Sequence, residues 1–133
     1  MATTVMLDSS VLIEYFRARN KERTLYTEII GKHEIRSISV IAKMEVLYGV
    51  RSELVEYWAA VFATMMVIPF TDNTVAKAHE IVLELQRKNL LLEIGDVMIA
   101  ATAMVEGVPL ATLNRKHFER IEGLVLFDDE RNL

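Results

Sequence analysis

The chain has 133 residues, of which 52% are hydrophobic, and this predicts one folded domain over residues 1–133 rather than a disordered segment. The absence of cysteine excludes disulfides and thiolate zinc sites, and it is typical of a reducing cytoplasm. The net charge of −4 argues against nucleic-acid binding by a basic surface alone, and it would suit a basic protein partner. The charge-free stretch 57–71 is too short to span a membrane, so we expect a soluble cytoplasmic protein.

Short apolar runs alternate with amphipathic stretches along the chain. In order, the pattern predicts a strand at 3–7, helices at about 9–18 and 22–30, a strand at 33–37, helices at about 39–49 and 52–65, a strand at 66–68, a long helix from Asp72, a helix at about 95–107, a strand at 108–112, a helical turn at 117–121 and a strand at 124–127. Short strands separated by helices predict an α/β fold. Its central parallel sheet would have about five short strands, flanked by helices on both faces.

Two helix starts and one helix face can be predicted in more detail. Ser39 is expected to cap the third helix, and Asp72 is expected to cap the fifth. On the fifth helix, an apolar stripe that would face the core contains Val75, His79, Val82 and Leu85.

Three acidic residues interrupt otherwise apolar stretches. Asp8 ends the first predicted strand, Glu45 lies within the third predicted helix, and Asp96 opens the sixth. Glu45 shares a helix face with Ile41 and Tyr48, so we expect its carboxylate to point toward apolar neighbours. Unpaired carboxylates are costly to bury, and they repel one another when they converge. A hard divalent cation is the simplest common partner for all three, which predicts a metal-dependent active site.

Each of the three acids also has an alternative interpretation. Asp8 and Asp96 could each be the N-cap of the helix that follows. Glu45 lies too far inside its helix for that role, but it could be paired with a buried arginine or lysine. The spacing of the three residues does not decide between these alternatives and the metal site.

Four segments that contain these residues resemble the four sequence blocks of PIN-domain ribonucleases, and in particular the VapC-type toxins of toxin–antitoxin pairs. The segments occur in the family's order and cover Leu7–Ile13, Ser39–Gly49, Gly95–Ala103 and Leu110–Phe118. The resemblance implies a single PIN-like domain that hydrolyses RNA phosphodiester bonds with Mg²⁺ or Mn²⁺. It implies that Asp8 and Asp96 bind the metal directly, while Glu45 binds it through water or polarises the attacking water.

Other residues of these blocks also match the family pattern or depart from it. Thr112 matches the threonine of the last block, and Ser9 keeps a hydroxyl after the first acid. Asn114 stands where many members have a fourth acid, so it supplies a neutral amide and leaves open whether one or two metals bind. Basic residues that could contact the RNA backbone are Arg17, Arg115 and Lys116.

The resemblance also implies partners. Related toxins form homodimers and bind an antitoxin segment, so Trp58 and Phe62 on the fourth predicted helix could belong either to the core or to a partner groove for a basic antitoxin. Two other functions stay open at this point. One is a catalytically silent PIN-fold scaffold, and the other is a receiver-type signalling domain, which also combines a parallel sheet with clustered acids.

Overall fold

The computed structural model describes residues 3–32 and 34–128. Within these ranges, two 3₁₀ turns at Lys21–Arg23 and Ser52–Leu54 precede the second and fourth helices. The strands and helices are β1 (Thr4–Leu7), α1 (Ser9–Arg17), α2 (Leu25–Gly31), β2 (Ile35–Ser39), α3 (Val40–Tyr48), α4 (Val55–Phe62), β3 (Met66–Ile68), α5 (Asp72–Arg87), α6 (Ile94–Glu106), β4 (Leu110–Ala111) and α7 (Arg115–Phe118). The predicted alternation of strands and helices is confirmed; the start of the second strand, predicted at His33, lies outside the described residues.

The four strands form one parallel sheet in the order β3-β2-β1-β4. Strand β1 lies between β2 and β4, with Leu7 opposite Ile38 on one side and opposite Ala111 on the other. Because the three strands run in the same direction and end at nearly the same level, their carboxyl ends meet at one edge of the sheet. Ligands of open parallel sheets bind at such an edge.

The predicted count of about five strands was too high for the described residues. The expected last strand, 124–127, makes a single parallel bridge between Leu126 and Leu110. Its backbone hydrogen bonds join Leu110 to Val125 and Phe127, at 2.9 and 2.8 Å. Strand β4 itself spans only two residues, so it offers too short a ladder for a fifth strand to extend.

Helices cover both faces of the sheet, as the pattern predicted. Val5, Met6 and Leu7 are consecutive in β1, and all three side chains are fully buried. Successive side chains of a strand point to opposite faces, so a solvent-facing side would have left one of them exposed.

The helix ends partly match the predictions. The Ser39 side chain accepts a hydrogen bond from the Ala42 amide, which confirms it as the N-cap of α3. For α5 the cap is Thr71 rather than Asp72, because Thr71 and Thr74 form a reciprocal capping box that satisfies two backbone amides.

The predicted core stripe of α5 was shifted. Val75 is half exposed and His79 is exposed, whereas the buried positions of the helix are Thr74, Ala78, Ile81 and Leu85. Burial of Thr74 in the capping box places these positions on the inner face, since they follow it at helical spacing.

Candidate active site

Asp8 lies at the carboxyl end of β1, between that strand and helix α1. Its carboxylate is 2% exposed, and its backbone amide donates a hydrogen bond to the Ala111 carbonyl at 2.9 Å. Although Asp8 precedes the first residue of α1, its side chain makes no capping hydrogen bond. The carboxylate Oδ2 accepts hydrogen bonds from the hydroxyls of Ser10 and Thr112, each at 2.8 Å. The side chain is therefore held toward the end of β4 and does not cap the helix.

The two hydroxyls that bind Asp8 are themselves fixed by the loop after β4. The amide of Leu113 donates to Ser10 Oγ at 3.1 Å, and the amide of Asn114 donates to Thr112 Oγ1 at 3.0 Å. Each hydroxyl accepts from the backbone and donates its proton to the Asp8 carboxylate. This arrangement holds the carboxylate in one orientation.

Glu45 and Asp96 reach the same place from two helices. Glu45, on α3, accepts a hydrogen bond from Ser9 Oγ on its Oε1 at 2.9 Å. A Cβ atom added at Gly95 would lie 3.0 Å from Glu45 Oε2, so the missing side chain of Gly95 gives Glu45 room against α6. Asp96 lies in the first turn of α6, not at its N-cap, and its Oδ2 is 3.9 Å from Nδ1 of His117.

These side chains line one open cleft of about 630 Å³, here called the acidic cleft. Its lining residues are Asp8, Ser9, Glu45, Leu91, Leu92, Glu93, Asp96, Asn114, His117 and Arg120. The three acids that are remote in sequence therefore gather at the carboxyl edge of the sheet.

The electrostatics of the cleft reflect this crowding of negative charge. Burial raises the pKa of the Glu45 carboxyl; the hydrogen bond from Ser9 opposes the rise, while Asp8, Asp96 and Glu93 add to it. Burial also raises the pKa of Asp96, and so do the charges of Asp8 and Glu93, against an opposing effect of His117. The ionised form of each group is disfavoured mainly because burial removes it from water, and the neighbouring carboxylates add to this effect.

The donor set fits a hard divalent cation. Within 3–32 and 34–128, no lysine or arginine forms an ion pair with Asp8, Glu45 or Asp96, so the predicted alternative of a buried partner for Glu45 is not observed. The side chains available are carboxylate oxygens and the Asn114 amide, which are ligands for Mg²⁺ or Mn²⁺. In those same residues, no three His, Asp or Glu side chains are placed to bind one ion together.

The expectation that Glu45 shares an apolar, inward-facing helix side with Tyr48 was wrong. Glu45 is exposed at the cleft, and Tyr48 is 85% exposed, whereas the buried residues of α3 are Ala42 and Val46. Helix α3 is only nine residues long, and only a narrow face of it packs against the core. Residues on the adjacent face, including Glu45, are therefore exposed at the cleft.

The other predicted site residues lie at different distances from the acids. Ser9, Thr112 and Asn114 belong to the site or its hydrogen-bond network. The predicted RNA-contacting residues Arg17, Arg115 and Lys116 are not among the cleft-lining residues. Arg115 instead donates from Nη1 to the Phe127 carbonyl at 2.8 Å.

Sequence reasoning missed several residues of the site. Ser10 binds Asp8 directly, although a serine at the start of a helix gives no sequence signal of such a role. Arg120 lines the cleft without belonging to a recognisable motif. Glu93, three residues before Asp96 in the sequence, could have been considered as an extension of the acidic pocket, and it does line the cleft.

Comparison with known proteins identifies the family. The PIN domain family model matches residues 5–124. The chain is 32% identical over 127 residues to Ribonuclease VapC1 of Methanocaldococcus jannaschii, covering 93% of this chain and 87% of that protein. It is 33% identical over 121 residues to Ribonuclease VapC10 of Mycobacterium tuberculosis, covering 90% of each.

A solved structure shows the same fold. DNA-bound VapBC from Salmonella typhimurium matches with a TM-score of 0.79 at 28% identity, over 95% of this chain and 98% of the other. Along the part of the chain that is described, none of the helices combines the length and apolar character needed to cross a membrane. The PIN match decides against the receiver-domain alternative. With that match over residues 5–124 and VapC relatives aligned along most of its length, the chain belongs to the PIN domain family and, within it, to the VapC-type proteins.

Proposed function

We propose that this protein is a Mg²⁺- or Mn²⁺-dependent endoribonuclease that hydrolyses RNA phosphodiester bonds and acts in the cytoplasm as the toxin of a toxin–antitoxin pair. Its relatives in Methanocaldococcus jannaschii and Mycobacterium tuberculosis are both named ribonucleases, which supports hydrolysis of RNA. The metal requirement and the roles of individual residues are inferred from the acidic cleft.

One observation carries the proposal: Asp8, Glu45 and Asp96 line the same cleft, and the described chain provides no lysine or arginine paired with them. Such a cluster is destabilising unless a cation from solution completes it. RNA carries its own negative charge, so an anionic cleft is suited to cleave it only when a bound metal reverses the local charge.

Each acid has a separate task in the proposed mechanism. Asp8 and Asp96 would hold the cation, which when bound stabilises the negative charge that develops on the phosphate. Glu45 is held through Oε1 by Ser9, which leaves Oε2 to polarise the attacking water or bind the cation through water. This scheme has two acids that bind the cation directly and one that acts through water. It agrees with the finding that, in the described ranges, no three His, Asp or Glu side chains are placed to bind one ion together.

The neighbouring polar residues position these acids. Thr112 and Ser10 fix the Asp8 carboxylate by donating hydrogen bonds to Oδ2, so the carboxylate keeps its orientation when a substrate binds. Asn114 lines the exposed side of the cleft, where its amide can bind a water or an RNA oxygen without adding charge. A single bound metal is enough for this arrangement.

For its partners, we propose that the protein forms a homodimer and binds a basic antitoxin. The structure of the Salmonella typhimurium VapBC complex supports a toxin–antitoxin assembly for this fold. In this chain, a cavity of about 390 Å³ between α3 and α4 is lined by Leu47, Val55, Ala59 and Phe62, among others. Trp58 is buried, so it packs beneath this cavity and does not line it. The net charge of −4 favours a basic occupant.

The test is cleavage of a mixed RNA pool by the purified full-length chain. We expect cleavage with Mg²⁺ or Mn²⁺, none with excess EDTA, and recovery when the metal is restored. The variant Asp8→Asn should be inactive with an unchanged circular dichroism spectrum, whereas Asp72→Asn, an exposed acid at the start of α5, should cleave normally. Cleavage that EDTA does not affect would refute the metal mechanism. No cleavage under any condition, together with antitoxin binding, would favour the silent scaffold.

The assembly has its own tests. Light scattering on the purified chain should give twice the monomer mass, and a monomer would contradict the dimer. Ala59→Arg places a bulky basic side chain at an exposed position of the α3–α4 cavity and should abolish capture of a co-expressed basic antitoxin without affecting RNA cleavage.

A further inference from the structure

Arg120 has a position that no other basic residue shares in the described part of the chain. It is the sole lysine or arginine on the lining of the acidic cleft, whose other charged residues are Asp8, Glu45, Glu93 and Asp96. The side chain lines this cleft without forming an ion pair with any of these acids. Its positive charge is therefore not neutralised by the carboxylates that share the cleft with it.

The backbone around Arg120 is rigidly placed. Phe118 and Ile121, on either side of it, are buried at 0% and 5% exposure. The amide of Ile121 donates to the Phe118 carbonyl at 3.1 Å, which closes the turn after α7. Arg120 is thus presented to the cleft from a segment that is anchored in the core on both sides.

The guanidinium is also tethered from the opposite wall. Its Nη1 donates to the backbone carbonyl of Leu91 at 2.8 Å, which connects α7 to the loop before α6. Lys88 and Glu122 join the same two segments by an ion pair at 3.4 Å. One tether restricts the rotamers of the side chain, so less entropy is lost when it binds a ligand.

The tether uses only part of the hydrogen-bonding capacity of the group. A guanidinium carries five N–H donors, and the bond to Leu91 is the single one that Arg120 makes with described residues. The remaining donors are arranged in a planar fork, which matches two oxygens of a phosphate. A fixed cation with free donors on the wall of an anionic cleft is suited to bind a phosphate group.

We infer that Arg120 binds a backbone phosphate of the RNA next to the one that is cleaved, an inference that rests on the proposed ribonuclease function. The bound metal compensates the cleaved phosphate alone, and the neighbouring phosphate would otherwise face Glu93 and Asp96 without a counter-charge. Arg120 supplies that charge and sets the register of the RNA in the cleft. Arg120 is thus a substrate-binding residue, whereas Arg115 does not line the cleft and lies 4.0 Å from the Glu119 carboxylate.

The experiment measures RNA binding separately from cleavage. All variants are made in an Asp96→Asn background and studied in EDTA, with a short fluorescent single-stranded RNA of mixed sequence as the probe. Arg120→Gln removes the charge but keeps a polar N–H₂ group. Arg120→Lys keeps the charge and a donor. Arg51→Gln, which changes the net charge equally at an exposed arginine paired with Glu53, is the matched control.

We expect Arg120→Gln to weaken RNA binding about tenfold, as loss of one charge-assisted contact predicts. The slope of log Kd against log salt should fall by about 0.7, the value for one phosphate of a single strand. Arg120→Lys should retain most of the affinity, and Arg51→Gln should change it by less than about twofold. Melting temperatures of the variants should agree with that of the background protein.

Two results would overturn the inference. In the first, Arg120→Gln binds RNA as well as Arg51→Gln. In the second, Arg120→Lys weakens binding as much as Arg120→Gln and also lowers the melting temperature, which would make Arg120 a structural tether for Leu91. Cleavage by the wild-type chain with Mg²⁺ is measured in parallel. If the wild type cleaves RNA normally and either of these two results is found, the proposed ribonuclease function stands and only the inference on Arg120 is refuted. If the wild type does not cleave RNA but binding still depends on the charge at Arg120, only the ribonuclease proposal is refuted.

Discussion

On helix α5, Glu80 and Glu84 face lysine and arginine side chains, whereas in the acidic cleft Glu45 and Asp96 face other carboxylates. Glu80 is paired with Lys77 at 2.8 Å, and Glu84 is paired with both Arg87 and Lys88. These hydrogen bonds and charges lower the pKa of each α5 glutamate. In the cleft, burial and the surrounding negative charges raise the pKa of Glu45 and Asp96 instead.

The difference separates two uses of an acidic residue. On α5, partners three or four residues away on the same helix satisfy each carboxylate, and the pairs are exposed, so they contribute little to stability. In the cleft, three chain segments bring carboxylates together, and no lysine or arginine of the described residues forms an ion pair with them. The fold therefore tolerates an unfavourable charge arrangement at the site where a cation and a substrate would bind.

The largest expected effect is on RNA cleavage. Asp96→Asn should lower the cleavage rate more than about 100-fold, because it removes a proposed metal ligand. Glu84→Gln, which removes an acid of the same charge from α5, should leave the rate unchanged. Initial rates on one RNA substrate at saturating Mg²⁺ check both variants. Equal rates for the two would mean that the cleft acids have no role beyond those on the surface.

The next effect concerns the support of Asp8. Thr112→Val keeps the shape of a buried side chain but removes the hydroxyl that donates to Asp8, so cleavage should fall about 10- to 100-fold. Thr102→Val is the matched control. Thr102 is also buried, but its hydroxyl donates to the Met98 carbonyl within α6. If both variants retain wild-type rates, Thr112 does not position Asp8 for the reaction.

A smaller effect is expected on thermal stability in the presence of metal. A cation that binds only the folded protein stabilises it by about 1.4 kcal/mol at a tenfold excess over Kd, which corresponds to about 4 °C in Tm. Mg²⁺ or Mn²⁺ should therefore raise the melting temperature of the wild type and of Glu84→Gln. Asp96→Asn should show no such rise in differential scanning fluorimetry. A rise of equal size in all three would place the metal outside the cleft.

The smallest effect is the pH dependence of the metal-free protein. The folded-state pKa of Asp96 lies above its unfolded value, so the stability contributed by its neutral form is present at acidic pH and lost as the pH rises through the folded pKa. Asp96→Asn should thus raise Tm slightly at neutral pH, and not at acidic pH. For Glu84 the pKa is lowered, so its contribution is present above the unfolded pKa and lost as the pH falls through the folded pKa.

Glu84→Gln should consequently lower Tm slightly at neutral pH and leave it unchanged in acid. Thermal melts of the wild type and both variants in EDTA, across the carboxyl titration range, measure the two signs together. The same sign for Asp96 and Glu84 would contradict the comparison of the cleft with α5.

Much of the fold could be predicted because it depends on local patterns. The apolar run that ends at Leu7 predicts a buried strand whatever its neighbours are, and Ser39 caps α3 through a contact within its own turn. The core stripe of α5, which was predicted at shifted positions, shows where local patterns are no longer sufficient. Both Val75 and Ala78 fit an apolar helix face, and the capping box and the sheet decide which of them turns inward.

The residues of the candidate site also divide into those that the sequence could indicate and those that it could not. Asp8, Glu45 and Asp96 could be selected because acids within apolar runs are unusual in any soluble domain. Ser10 and Arg120 could not be selected, since serine and arginine are ordinary at a helix start and at a surface turn. Their significance appears only through contacts with residues far away in the chain, at Thr112 and Leu91.

The amino-acid sequence by itself determined the order of strands and helices and the identity of the three acids, because hydrophobic periodicity and residue chemistry act over short stretches of chain. The tertiary structure alone decided that the acids share one cleft, that Thr112 holds Asp8 and that Arg120 lines the same cleft. Those relations depend on the parallel register of β1 with β4 and on helix packing, which join residues as far apart as 8 and 112.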